Sequence, residues 1–190
     1  MPAPLLVVID MQDVFRAADS PWSTPTFGQA AARIDRLLDA SGDRVVFTRF
    51  VPPPDHEGSW GIYYETFSDV LRPDRDWFEL AEPYRSRAAS TTHEPLVRPT
   101  FSAWGETLRS IAGEPATLIL CGVATDCCVI STALDAADDG AFVRIAEDAC
   151  GGSSPASHDA AITVMRGYAP QIEISTVERE LGTVLASGSS

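Results

Sequence analysis

Apolar residues arrive in short, well-separated blocks along this chain. Pro4–Asp10 is a β-branched apolar run that ends on an acid, the pattern of a strand covered on both faces. Arg44–Thr48 and Thr117–Cys121 repeat it, His93–Arg98 is a weaker version, and Phe142–Glu147 and Gln171–Ser175 complete six predicted strands. Between them the apolar spacing changes to that of helices, over Phe27–Ala40 (with Ile34, Leu37 and Leu38 on one side), Gly105–Ala112, a cysteine-led stretch to about Asp139, and Pro155–Gly167. Strands alternating with helices predict an α/β fold, a single-domain, doubly wound, mostly parallel six-stranded sheet with helices on both faces. The expected domain spans 1–185, and the Ser/Gly-rich tail 186–190 is expected to be disordered. No internal repeat is visible.

One stretch breaks the alternation. Val51–Ala89 holds Pro52-Pro53-Pro54 and then Trp60, Tyr63, Tyr64, Phe67, Trp77, Phe78 and Tyr84. It reads as loop with short helical pieces. A connection this long is a lid, a pocket wall or an oligomer contact, or else aromatic packing beneath an irregular loop.

Composition narrows the partners. The formal net charge is −13, which argues against a nucleic-acid or anionic-membrane partner, since both require a basic face. No apolar run approaches a membrane span, and the N-terminus runs straight into a strand without a basic leader. Three of the four cysteines, Cys121, Cys127 and Cys128, fall close together, with Cys150 apart. That is poor spacing for a disulfide framework and fits a reducing cytoplasm. All fourteen basic residues are arginine.

Active groups of open α/β sheets lie at the carboxyl ends of the strands. Asp10, Arg98 and Cys128 fall at or just beyond such ends. Cys128 follows the turn Gly122-Val-Ala-Thr-Asp-Cys127 into a helix, and the positive end of a helix dipole is expected to lower its thiol pKa. An acid, a cation and a thiol together suit nucleophilic attack on a carbonyl. Cys121, Cys127 and Cys150 read as small packing residues, although adjacent Cys127 and Cys128 also admit redox sensing. His56, His93 and His158 are scattered. Phe15, Trp22, Trp60, Tyr64 and Trp104 are candidates for an apolar pocket wall or for core, with the pocket reading favoured for Phe15 and Trp104.

Three segments in order carry a resemblance. Asp10-Met-Gln-Asp-Val-Phe15, Arg98-Pro-Thr-Phe-Ser-Ala-Trp104-Gly-Glu-Thr-Leu108 and Gly122-Val-Ala-Thr-Asp-Cys-Cys128-Val resemble the three motifs of the isochorismatase-like cysteine hydrolases, over almost the whole chain. Glu147-Asp-Ala-Cys150 resembles the strand end that follows. The resemblance implies Asp10 as general base, Cys128 as nucleophile, the amides of Ala124 and Cys128 as oxyanion donors, a cis peptide at Val123–Ala124, and a homo-oligomer (dimer or tetramer). It also implies hydrolysis of a small-molecule amide or other C–N bond through a thioester. The alternatives are a vinyl ether hydrolase of the isochorismate type, or a non-catalytic or redox-sensing homologue. The family's catalytic lysine falls on Arg98, which keeps a positive charge but is bulkier, planar and permanently protonated. Relatives acting on nicotinamide carry an Asp-x-His metal site after the second strand. Here that place reads Thr48-Arg-Phe-Val-Pro52, so no metal and no cofactor are expected.

Overall fold

In a computed structural model, which describes residues 3–71 and 75–187, the predicted alternation is present. Six strands, β1 (Leu5–Ile9), β2 (Val45–Phe50), β3 (Leu96–Arg98), β4 (Thr117–Val123), β5 (Phe142–Gly151) and β6 (Ile172–Ser175), form one sheet in the order β3-β2-β1-β4-β5-β6. Every pairing is parallel. Helices α1 (Asp13–Arg16), α2 (Phe27–Ser41), α3 (Gly58–Thr66), α4 (Tyr84–Ala88), α5 (Glu106–Ala112), α6 (Ile130–Asp138), α7 (Pro155–Arg166) and α8 (Val177–Ser187) surround it. Among the described residues no helix is long and apolar enough to cross a membrane.

The period-2 geometry of β1 explains its unbroken apolar sequence. Leu6 and Val8 point into a layer with Ile34 and Leu37 of α2 and Val177 of α8. Leu5, Val7 and Ile9 point the other way, against Leu108 of α5, the alanines of α6 and Ile162 and Met165 of α7. With both faces covered, no polar residue is tolerated until the strand ends at Asp10.

The chain order runs outward in both directions from the β1/β4 pair. This is the switch point at which doubly wound sheets open a crevice beyond their carboxyl ends. Gly122 makes the pair close. It lies opposite Ile9 at φ +116°, and a Cβ there would stand 2.1 Å from the Ile9 carbonyl oxygen. The backbone conformation and the contact both demand glycine. The segments after β1 and β4 therefore emerge side by side.

Several elements differ from the sequence reading. β5 continues past Glu147 to Gly151 because its acids have partners: Glu147 pairs with Arg166, and Asp148 accepts the Val177 N–H at 2.8 Å. Helix α8 is unforeseen. Its Glu180 is buried, held by Arg144 and Ser175, so a charged residue occupies the position where an apolar one signals a helix face. α8 runs to Ser187, and the rest of the expected disordered tail, 188–190, lies outside the described residues. The 51–89 stretch contains α3, α4 and a single tight turn at Ser68–Leu71.

Gly122→Ala should lose about 3 kcal/mol or more of stability, from a positive-φ penalty combined with a backbone clash. Urea unfolding of the variant measures it, and a loss under about 1 kcal/mol would contradict the close β1/β4 contact.

Candidate active site

Asp10 is the first residue after β1. It takes a left-handed conformation, φ 49°, and is only 4% exposed. Thr48 of β2 holds it twice: the Thr48 hydroxyl accepts the Asp10 N–H at 3.2 Å and donates to Oδ1 at 2.6 Å. The other side of Asp10 faces the thiol of Cys128, within hydrogen-bonding reach.

Cys128 lies in the turn that joins β4 to α6. Residues Thr125–Val129 form one wide helical turn, in which the Val129 N–H reaches the Ala124 carbonyl five residues back at 3.2 Å. The Val123–Ala124 peptide is cis, the form that the sequence resemblance implies. The Ala124 amide is within reach of Cys128 Sγ. The Cys128 carbonyl accepts the Thr132 hydroxyl at 2.7 Å, and Thr132 in turn accepts the Ala103 N–H at 2.9 Å.

Burial dominates the electrostatics. It raises the Asp10 carboxyl from 3.8 to about 6, against the partial opposition of the Thr48 and Cys128 hydrogen bonds. Burial also pushes the Cys128 thiol well above its ordinary value, and the adjacent Asp10 carboxylate pushes it further. The expected lowering of this thiol pKa by the helix dipole is therefore overturned. At neutral pH the pair rests as an ionised carboxylate beside a neutral thiol.

Arg98 stands apart from this pair. Its Nη2 donates to the Ala103 carbonyl at 3.3 Å, and no hydrogen bond or ion pair joins it to Asp10 or Cys128. The guanidinium packs on Gly105, where a Cβ would come within 2.5 Å of Nη2. Arg98 is linked to the nucleophile only indirectly, through Ala103, Thr132 and the Cys128 carbonyl. The expected acid–cation–thiol cluster is thus an acid–thiol pair with a remote cation.

Cys128 forms part of the wall of a cavity of about 310 Å³. Phe15, Trp22, Phe50, Tyr63, Phe67 and Phe101 supply most of the rest, with Ala124, Asp126 and Cys127 at the nucleophile's end. Phe15 is where the sequence reading puts it. Trp104 is not: its indole N–H donates to Asp139 at 2.9 Å and its ring lies beside Arg109, in a separate surface groove. Trp60 and Tyr64 stack behind the wall rather than lining it. Tyr63, Phe67, Phe50 and Phe101 are the residues that sequence reasoning missed. The aromatic density of the 51–89 stretch was the available signal, and its pocket-wall reading holds for α3.

The remaining candidates have structural partners. At the end of β2, Thr48 serves Asp10, Arg49 pairs with Glu79, and Phe50 is wall. No group of three His, Cys, Asp or Glu side chains suited to a metal occurs among the described residues. His158 bonds Thr125 through Nδ1 at 2.9 Å. All four cysteines are free, and Cys121 is wholly buried beneath the sheet ends.

Burying an ionised Asp10 costs the folded state stability. The cost is absent below about pH 4, where the carboxyl is protonated in both states, and complete above about pH 6. Asp10→Asn should therefore gain stability over the parent as pH rises through that window, reaching about 2–3 kcal/mol by linkage. Urea melts at several pH values measure it, and a pH-independent difference would contradict the burial of the charge.

The fold has counterparts among known proteins. The model of the isochorismatase domain matches residues 4–178. No curated protein sequence matches the chain. Solved structures do. A cysteine hydrolase from Pseudomonas syringae pv. phaseolicola 1448A superposes with a TM-score of 0.79 at 18% identity, over 97% of this chain and 93% of its own. An isochorismatase family protein from Desulfovibrio vulgaris subsp. vulgaris str. Hildenborough gives 0.74 at 22% identity, over 96% and 97%. A nicotinamidase from Bacillus subtilis gives 0.71 at 20% identity, over 90% and 98%. At such identities these structures speak to the fold, and the domain match speaks to ancestry: the chain belongs to the isochorismatase family of hydrolases.

Proposed function

We propose that this protein is a cysteine hydrolase that cleaves the C–N bond of a small amide through a thioester on Cys128. The observation that carries the reading is the buried Asp10 carboxylate beside the Cys128 thiol, which stands in the wall of a largely apolar cavity. A carboxylate that titrates near 6 is ionised at neutral pH yet basic enough to take a proton in a transition state.

The cycle follows from that resting state. Cys128 Sγ adds to the substrate carbonyl carbon as its proton passes to Asp10, so no free thiolate is needed beforehand. The carbonyl oxygen, now negative, is received by the backbone amides of Ala124 and Cys128. The tetrahedral adduct collapses. Asp10 returns the proton to the nitrogen, the C–N bond breaks, and amine or ammonia leaves with the acyl group held on sulfur. Water then adds to the thioester as Asp10 takes its proton, and the acid departs as sulfur recovers a proton from Asp10.

Arg98 has a supporting place in this cycle. With its donor group on the Ala103 carbonyl, it fixes the loop whose N–H holds Thr132, and Thr132 holds the Cys128 carbonyl. It is a positioning residue rather than a charge partner of the thiol. The other readings fit less well. Cleaving a vinyl ether requires an acid to protonate the enol carbon, and Asp10 is ionised above about pH 6. Redox sensing favours exposed, low-pKa thiols, whereas burial raises Cys128 well above its ordinary value and Cys127 to about 11.

Release of amine or ammonia from a panel of small amides tests the reading. Turnover should rise with pH through about 6 as Asp10 ionises, and both Cys128→Ala and Asp10→Asn should lose about a thousandfold or more. Full turnover by Cys128→Ala would overturn it. Arg98→Met should lower kcat about three- to tenfold, the scale of one charge-assisted hydrogen bond, with the acidic limb unmoved. If Arg98 were a direct charge partner of Asp10, its removal would instead drive that limb to higher pH.

A further inference from the structure

The charged groups around the cavity are all of one kind. The ionisable side chains in its wall are Asp126, Cys127, Cys128 and the phenol of Tyr63, every one an acid. Asp10 stands behind Cys128. Among the described residues no arginine or histidine lines the space. The arginines on neighbouring segments are engaged elsewhere: Arg16 with Asp13, Arg49 with Glu79 and the Phe78 carbonyl, and Arg98 with the Ala103 carbonyl. Asp126 accepts hydrogen bonds from the Ser153 N–H and hydroxyl, which fix the carboxylate without cancelling its charge. An anion entering here would shed water, meet no cation, and face two carboxylates.

The rest of the wall has a definite shape preference. Phe15 stacks with Trp22 at 6.0 Å between ring centroids, and Phe50 with Phe101 at 6.2 Å. Tyr63 of α3 and Phe67, just past its end, close the remaining side. Flat ring faces of this kind take up another flat ring. Two polar groups of the aromatic wall lack a partner among the described residues, the buried indole N–H of Trp22 and the hydroxyl of Tyr63, and the second is the more accessible. Tyr63 is half-buried. Burial and the neighbouring Cys127 and Cys128 keep that phenol protonated, so it meets a ligand as a donor.

Building on the hydrolase reading, we infer that the site selects an uncharged, ring-bearing carbonyl compound, takes a hydrogen bond to it from Tyr63, and refuses the same ring carrying a carboxylate. The reading accounts for the placement of Arg98 away from the cavity, since a cation at the thiol would invite the anions that the wall excludes. It also sets the site against isochorismate-type substrates, which carry carboxylates.

Benzamide and benzoate have nearly the same shape and differ in charge, so they test the inference directly. In the native protein at neutral pH, benzamide should protect Cys128 from alkylation by N-ethylmaleimide at concentrations at least about tenfold below those at which benzoate does. Calorimetry on the Cys128→Ala protein should give the same order of affinities. Tyr63→Phe should weaken benzamide about three- to tenfold and leave benzoate unchanged. Asp126→Asn should narrow the gap by improving benzoate. Equal or tighter binding of benzoate would overturn the inference, as would an absence of benzamide protection in the native protein at millimolar concentration. The two readings fail separately. Benzamide-selective protection without turnover of any amide would retire the hydrolase and keep this selectivity. Preferred turnover of carboxylate-bearing amides would retire the selectivity and keep the hydrolase.

Discussion

The site depends on placing one carboxyl and one thiol together where both are almost entirely shielded from bulk water. Asp10 is 4% exposed and Cys128 3%. Neither group can disperse its charge into solvent, so the pair holds one proton between them and the question is where it sits. Burial raises both pKa values, but the carboxyl starts from a much lower one and remains the ionised member at neutral pH. A thiol activated this way needs no resident cation. In the proposed cycle the base takes the proton only as the sulfur attacks, and the cost of a buried thiolate is never met in full.

That arrangement is built by the sheet. β1 and β4 are adjacent because the chain reverses its direction of winding between them. They can approach closely because Gly122 has no Cβ to strike Ile9. The turn after β4 then brings Cys128 under its own Ala124 amide and beside Asp10. Thr48, on the neighbouring strand β2, fixes the carboxyl with a donated hydrogen bond. Three adjacent strands contribute one group each, and the thiol's turn is tied in addition to the 98–105 loop through Thr132.

Most of the fold was legible in the sequence because parallel strands covered on both faces leave a strong apolar signature and end abruptly at polar residues. Asp10 and Cys128 were legible for the same reason, since strand ends mark the crevice, whereas Ala124 entered only through the family resemblance. Arg98, the last residue of β3, and Trp104, in the loop that follows, were misplaced because their side-chain directions are set by partners in that loop and beyond it: the Ala103 carbonyl and Gly105 for one, Asp139 for the other. The aromatic lining comes from scattered places, among them Tyr63 of α3, Phe67 just after it, Phe50 at the end of β2 and Phe101, with no periodic pattern to say which rings face inward. Helix α8 escaped because buried Glu180 is neutralised by Arg144, a pairing that no local window contains. The thiol's pKa was misjudged because a helix N-terminus is visible in sequence and desolvation is not.

The central claim is the location of that one proton. Nuclear magnetic resonance of protein labelled at aspartate Cγ and cysteine Cβ follows both groups through a single pH titration. The account predicts that the Asp10 carboxyl ionises near pH 6 while Cys128 stays a thiol through neutrality. A Cys128 thiolate at neutral pH, beside a protonated Asp10, would contradict it.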